Sequence, residues 1–504
     1  MKLKFLKRVF KRKNRRIFAI KNIFSDKNLL FLFNTCGLIL LLYLFFVALF
    51  QRTVVITNYP SYVFIILLGV FIFFTVIARK YFTYIFVNYK NTFVFMFCVG
   101  LMLRILYYFI VKPLPHSDFL FYHQYATNIS KGIFNPLDKT CLIFPHRVGF
   151  SLILGLMYFL IGSSVEKGSL INILFSMINL LLVYVLASKM YDKCTAQVVS
   201  ILYALWPAQI MYSSVIASEN LFMTFFLAAV LLFIKSIENT SSKNIIFSLL
   251  CGIFMALAQI IRPVAQMLIL VLFVSGIVMI ERSKIVSLIK MYLLLILSFI
   301  LAIVVMNSVI KALTGVPLRW SMGYNFMVGT NLDSHGVYNN KDALILGKYN
   351  YDFEKVHNES FKIAIERIKS HPRKFLKLIE EKMAILWGDE TYSVNWSFSQ
   401  GVNLRLSRNS SIKEFLIIFV QVFYLMLLFF TIFGLLLSLK KGSIIISVLI
   451  FLIHFVSYFL LEVQSRYHYP AIIFLLPIAA YGIRNFKLEY LKRPFYNVFK
   501  GVEG

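Results

Sequence analysis

Residues 92–125 read "TFVFMFCVGLMLRILYYFIVKPLPHSDFLFYHQY". The stretch from Thr92 to Val111 is an apolar run, long enough to cross a bilayer core of ~30 Å as a helix. Just past its end comes Asp118, in a chain with 22 acidic residues against 52 Lys and Arg. Two histidines and two tyrosines flank it. The number of such runs decides the fold, and the side on which Asp118 emerges decides its role.

The runs are many. The chain has 504 residues, 60% hydrophobic and 17% aromatic, with only 15% charged. A soluble domain of that size cannot bury so much apolar surface. Apolar runs recur near 29–50, 62–78, 92–112, 147–162, 168–188, 195–217, 219–234, 244–261, 263–280, 286–313, 413–438, 443–461 and 469–483. They lack the period-2 alternation of a transmembrane barrel. The expected fold is therefore an all-α polytopic membrane protein.

A net charge of +30 would suggest nucleic acid in a soluble protein. Here the basic residues fall where the positive-inside rule places them, so no nucleic-acid partner is expected. "MKLKFLKRVFKRKNRRIFAIKN" has no small-residue cleavage site after an apolar core. It reads as a basic cytoplasmic segment (1–28) lying on anionic membrane lipids. The five cysteines have no metal, redox or disulfide-framework spacing.

With that segment inside, the first two runs (29–91) cross out and back, and 92–112 leads outward to a first outer loop, 113–146. From the other end, the basic tail after 484 and "LKKG" belong inside, so "LEVQSRYHYP" (Leu461 to Pro470) and the polar segment 314–412 belong outside. "ASKMYDK" (Ala187 to Lys193) belongs inside, which leaves one run too many between Asp118 and Glu219. The run at 147–162, with three glycines, is read as interfacial or re-entrant. That makes about twelve spans, thirteen if it crosses. The domains expected are a membrane module at 92–313, an extracytoplasmic helical loop at 314–412, and C-terminal spans with a basic tail at 413–504.

This topology gathers scattered residues on one face. Asp118, Glu219 and Glu462 sit at outer membrane ends, as do Arg147, Arg262 and Arg466. Ionisable side chains at membrane depth cost ~2.5–3.5 kcal/mol on insertion scales, so they face a cavity or a partner. One reading is a structural Glu219–Arg262 ion pair beside a solvated Asp118. The other is a site at the membrane boundary for a phosphate carried on a lipid. Arginine's planar fork suits phosphate oxygens. Transfer of a sugar from such a phosphate needs a base for the acceptor hydroxyl and cations for the departing phosphate. Asp118 is the first type of group and the arginines are the second. A divalent metal on Asp118 with His116, His123 and His146 is a weaker alternative to no cofactor.

The order of local patterns resembles membrane glycosyltransferases of the GT-C class, similar to the bacterial relatives of the protein O-mannosyltransferase and lipid A aminoarabinose transferase family. The resemblance runs over 92–484. It is carried by "HSDFLFY", by "LWPAQIMYSSVIASENLF" (Leu205 to Phe222) and by "IIRP" (Ile260 to Pro263). "MVGTNLDSHGVYN", "IERIKSHPRKFLKLIEEKMAILW" (Ile365 to Trp387) and "EVQSRYHYPAIIFLLP" complete it. It implies a GT-C-like bundle and an inverting transferase, with a polyprenyl (undecaprenyl) phosphate sugar as donor and a cell-envelope glycan as acceptor. Its general base carries over to Asp118 and its acidic residue to Glu219. Arg262, Arg466, Arg147 and Tyr467 are expected at the donor phosphate. Tyr122, His123, Asn331 and Glu462 are expected to serve the acceptor or support the loops. "FPHRVGF" lacks the family's double proline before Arg147, and Phe119 stands where the mannosyltransferases have Glu, which argues against a protein acceptor.

Two other readings are a lipid-linked sugar flippase and a polysaccharide polymerase. A flippase would want its ionisable or helix-breaking residues in mid-membrane. A polymerase would lack the early acids, so Asp118 and Glu219 count against it.

Overall fold

The computed structural model describes residues 26–50, 60–85, 92–238, 243–280, 284–320 and 322–486. Most of the basic segment 1–28 and the tail past 486 lie outside the described residues. The chain begins with α1 (Asp26–Phe50), α2 (Ser61–Ile85) and α3 (Thr92–Val111). It continues with α4 (Asp118–Ser130), α5 (His146–Ile161), α6 (Val165–Met190), α7 (Lys193–Leu205), α8 (Pro207–Tyr212) and α9 (Ser218–Glu238). Next come α10 (Lys243–Ile261), α11 (Met267–Met279) and α12 (Ile285–Thr314). Six short or amphipathic helices follow: α13 (Gly323–Gly329), α14 (Asn340–Lys348), α15 (Phe353–Ser370), α16 (Pro372–Trp387), α17 (Tyr392–Trp396) and α18 (Leu404–Ser407). The chain ends in α19 (Ser410–Leu436), α20 (Ile445–Ser457) and α21 (Tyr469–Asn485).

Seven of these (α1, α3, α6, α9, α10, α12 and α19) are long and apolar enough to cross a membrane. Shorter apolar helices fill in between them. This is a multi-pass membrane protein. The lipid-facing role shows in α12, where only 17% of the apolar window is buried and Leu293, Leu297, Leu301 and Val305 point outward. Elsewhere the helices pack closely. Gly434 on α19 and Gly482 on α21 face each other, and a Cβ on either would run into a carbonyl of the opposite helix (Ile478 or Phe430).

One run expected as a whole span is split, and two are shorter than expected. The run at 195–217 is two helices, because Pro207 has no N–H to give to the Tyr203 carbonyl one turn back. The carbonyls freed there accept from Arg104 instead: its Nη2 donates to Tyr203 O at 3.1 Å and its Nη1 to Ala204 O at 3.3 Å. Pro263 likewise stops α10 at Ile261, and the chain makes i→i+3 turns before α11 begins at Met267. With 13 residues each, α11 and α20 rise about 20 Å, less than a bilayer core. The stretch set apart at 147–162 is one helix of 16 residues packed along α4.

The 314–412 segment folds back on the bundle. Its own core packs α13 against α15, with Val356 and Ala364 buried. Asn331 Nδ2 donates to Asp342 at 2.9 Å, and Arg367 donates to the same carboxylate at 2.7 Å. Burial alone would raise the Asp342 carboxyl, but the hydrogen bonds from Arg367, Asn331 and Asn339 hold it below its usual range. Lys382 on α16 is buried, and its Nζ donates to Gly329 O at 2.8 Å and Phe459 O at 3.0 Å, clasping the segment to the end of α20. Burial lowers its pKa to about 7. A bridge between Pro113 and Gly401 then brings the end of this segment beside the loop after α3.

Candidate functional site

Asp118 and Glu219 each stand in the first turn of a helix, α4 and α9. The partial positive charge of a helix N-terminus favours a carboxylate there. Ser117, just before Asp118, has φ 53° and ψ −131°, a conformation that costs a non-glycine residue ~1–3 kcal/mol and is tolerated where the surroundings enforce it. Arg262 follows the last residue of α10, where the helix dipole favours a cation. Arg466 lies in the 3-10 turn Ser465–His468, between α20 and α21.

The tertiary fold brings these together. Arg147 Nη2 lies 2.5 Å from Asp118 Oδ1, and Arg466 Nη2 lies 3.5 Å from Oδ2. Arg262 Nη2 donates to Glu219 Oε1 at 2.8 Å, while Arg466 Nε is 4.0 Å from that same oxygen. Arg466 therefore links the two carboxylates. Glu219 is fully buried, Arg466 is 5% exposed, and Asp118 keeps 30% of its side chain open. Arg147 is steadied by Thr140 Oγ1, which accepts from its Nη1 at 2.9 Å. The Glu219–Arg262 ion pair is thus real, but it is one edge of a larger cluster and Asp118 is not simply solvated.

Electrostatics follow from this packing. Burial alone would raise the Asp118 carboxyl, but Arg147 and then Arg466 more than offset it and hold it below the ordinary carboxylate range. Burial opposes the charge on Arg466, yet Tyr212, Glu219, Tyr467 and Asp118 push its pKa well above the usual. Aromatic faces line the cations. The Arg466 guanidinium lies 5.0 Å from the centre of Phe119, 5.1 Å from Trp396 and 5.6 Å from Tyr467. Arg262 lies over Tyr467 at 5.5 Å. Ring faces attract cations without consuming their N–H groups.

Beside Arg262 and Tyr467 opens a cleft between α9, α11 and α20. Phe226, Met267, Val271, Ile450 and Ile453 line its apolar part. One wall of the cleft is guanidinium and phenol, and the rest is mostly apolar, with His454 and Ser457 as its other polar side chains.

Not every expected residue arrives. His123, five residues after Asp118, turns to the other side of α4, where its Nδ1 pairs with the Tyr158 hydroxyl at 2.9 Å. Tyr122 is a buried wall against Phe150, with ring centroids 4.9 Å apart. Asn331 braces its own loop, its Oδ1 accepting from the Asp333 and Ser334 amides. Glu462 lies in the Arg466 loop, its Oε1 accepting from Gln464 at 3.1 Å. The proposed metal set does not assemble: His116 stacks on Trp396 at 4.7 Å, His123 faces Tyr158, and among the described residues no three His, Cys, Asp or Glu converge as ligands.

Other residues of the site escape a sequence reading. Trp396 arrives from α17 across the Pro113–Gly401 bridge. Behind Arg466, His468 Nε2 pairs with Glu390 Oε1 at 3.1 Å, and Trp206 Nε1 donates to Glu390 Oε2 at 3.2 Å. This buried group anchors the 3-10 turn that carries Arg466. The arrangement can hold an anion against three guanidiniums, keep one carboxylate at the mouth, and seat an apolar tail alongside.

Residues 146–307 match a family model described as dolichyl-phosphate-mannose-protein mannosyltransferase. That stretch holds Arg147, Glu219 and Arg262, and the chain resembles membrane glycosyltransferases of the GT-C class. No curated protein matches the chain. Among solved structures the chain is similar to the apo form of the Archaeoglobus fulgidus oligosaccharyltransferase. The identity is 14% over 84% of this chain and 53% of that one, with a TM-score of 0.39. It is similar also to the archaeal oligosaccharyltransferase AglB from Archaeoglobus fulgidus in complex with an inhibitory peptide and a dolichol-phosphate. There the identity is 14% over 82% of this chain and 51% of that one, with a TM-score of 0.40. The chain spans about half the length of these structures.

Proposed function

We propose that this protein transfers a sugar from a polyprenyl phosphate donor, undecaprenyl phosphate in a bacterial envelope, to a cell-envelope glycan at the outer membrane boundary. The observation that carries the reading is the place of the arginine–carboxylate cluster, at the polar end of an apolar cleft. A polyprenyl phosphate has the same two-part anatomy. Its chain fits the cleft beside Met267 and Ile450, and its phosphate fits Arg262, Arg466 and Tyr467. The match of residues 146–307 to the mannosyltransferase family supports the same reaction class.

In this reading the arginines stabilise the negative charge that collects on the departing phosphate. Arg466 spans both carboxylates, so an arriving phosphate competes with Asp118 and Glu219 for its N–H groups. Asp118, the expected general base, keeps the acceptor side: its partly open carboxylate accepts a hydrogen bond from the incoming hydroxyl and holds it against the sugar. Inversion follows if the hydroxyl attacks from the face opposite the phosphate.

The test is transfer from labelled polyprenyl-phosphate sugars to envelope glycans by the full chain in liposomes. Asp118→Asn is expected to lower transfer by ~10²-fold or more while donor binding is retained. Transfer by the unmutated protein from no lipid-linked donor would return the flippase reading, which a donor-translocation assay in the same vesicles would then measure.

A further inference from the structure

We propose that the first half of α16, residues 372–379, is a membrane-surface element: it seats Leu376 in the bilayer and takes anionic phospholipid headgroups on Arg373, Lys374 and Lys377. This role lies outside the glycosyl-transfer reading and stands or falls without it.

Pro372, Phe375, Leu376, Ile379, Met383 and Leu386 recur at three- and four-residue spacing, so they form one apolar stripe along α16. The two ends of the stripe meet different surroundings. Met383, Leu386 and Trp387 are buried, and that end is tied to membrane-spanning helices. The Tyr424 hydroxyl of α19 donates to Trp387 O at 2.9 Å. Gln421 Nε2 reaches both Gly388 O at 2.9 Å and Ala48 O of α1 at 3.0 Å. Toward the N-terminus the cover runs out. Phe375 and Ile379 are half-buried, Pro372 is exposed, and Leu376 is 67% exposed. The helix also packs along α1, whose Phe46 and Phe50 point outward from the bundle. The uncovered part of the stripe thus continues a lipid-facing surface.

The charges complete the pattern. At ~100° per residue, Arg373, Lys374 and Lys377 stand about 100–200° around the helix from Pro372, and all three are exposed. A helix laid with Leu376 downward lifts these cations to the level of the phosphates, which their long stems can reach. Residues 372–379 hold no acid to neutralise them. Glu381, one turn beyond Lys377, is paired with His335 at 2.9 Å, and among the described residues none of the three cations is in an ion pair. A merely solvated face would leave Leu376 in water. A soluble anionic glycan would suit the cations and leave Leu376 uncovered too. An anionic bilayer surface satisfies both, with each cation near it adding to the attraction.

The experiment places a fluorophore on Leu376→Cys in the full chain, with Cys36, Cys98 and Cys194, the cysteines that are not buried, replaced by serine. The protein is reconstituted in phosphatidylcholine bilayers that contain a small fraction of lipid brominated in its acyl chains, either phosphatidylcholine or phosphatidylglycerol. Brominated chains quench the label on contact. Both lipids should quench it, phosphatidylglycerol more strongly at equal mole fraction. Arg373→Gln, Lys374→Gln and Lys377→Gln together should keep the quenching by phosphatidylcholine and lose the preference for phosphatidylglycerol. If that triple variant fails to fold, salt carries the test: at 1 M the Debye length is ~3 Å, and the preference should vanish in the unsubstituted helix. A label quenched by aqueous iodide and by neither lipid would overturn the proposal, as would equal quenching by the two lipids or a preference that survives the triple substitution. A label shielded by soluble polyphosphate and untouched by lipid would overturn it in favour of an anionic polymer.

Discussion

Arg104, midway along α3, and Arg466, in the loop after α20, are both buried guanidiniums, and they are satisfied in opposite ways. Arg104 has no carboxylate within ion-pair distance among the described residues. Its Nε donates to Ser176 Oγ at 2.9 Å, and its Nη atoms donate to the carbonyls of Gly100, Tyr203 and Ala204. Those carbonyls include the ones Pro207 strands at the end of α7, where the helix dipole is negative. Arg466 donates its Nε to Gln464 Oε1 at 3.0 Å, but its two carboxylates stand at 3.5 and 4.0 Å, longer than hydrogen bonds, and the ring faces beside it use no N–H at all. Arg104 spends four of its five N–H groups on these partners and has little left to offer. Arg466 is balanced in charge but not in geometry, which is the condition for taking up an anion.

That contrast can be broken by experiment. The largest effect is expected at Arg466. Arg466→Gln should reduce transfer by ~10³-fold, about 4 kcal/mol of transition-state stabilisation, while the melting temperature in detergent stays near wild type. Arg466→Lys should restore little, because an ammonium cannot span both carboxylates as the fork does. Arg104→Leu should do the reverse. Leaving buried carbonyls unpaired is expected to lower stability by about 2–4 kcal/mol, read by thermal unfolding, and to affect transfer only in proportion to lost protein. Stability untouched by Arg104→Leu would mean that the broken helix does not depend on its cap, and the contrast would fail.

A smaller effect sharpens it from a third place. Asp342 is paired with Arg367 in the folded-back segment, away from the site. Its folded pKa is depressed, so its contribution to stability is present above the unfolded value of ~3.9 and is lost as pH falls through the folded value. Asp342→Asn should remove that acid sensitivity, with a modest loss of melting temperature at pH 7 and transfer kept. Unchanged acid sensitivity in this variant would place the dependence elsewhere.

Much of the molecule was legible without coordinates, for identifiable reasons. Runs such as Thr92–Val111 declare helices by length and hydropathy alone. Charge bias pointed to Asp118, Glu219, Arg262 and Arg466 as residues of one face, and the fold brings all four into one cluster. The misreadings have local causes. The proline at 207 was visible, but a hydropathy window averages over a single residue and cannot see a missing N–H. Arg104 lies in so apolar a run that hydropathy gives no sign of its role. His123 sat near Asp118 in sequence but lies about 500° around a helix from it, at ~100° per residue, so its ring faces Tyr158.

The sequence by itself determined the solvent. Its apolar runs require a bilayer, and the few acids it spends at their ends require partners, because a charge at membrane depth is costly alone. Only the tertiary structure decided which partners. Ion pairing depends on ångström distances between loops hundreds of residues apart, and no periodicity encodes those. Arg466 reaches Asp118 because the loop after α20 is anchored from behind by His468, Glu390 and Trp206. Glu462 is linked to Arg466 through one intervening amide, Gln464, whose orientation is a matter of packing.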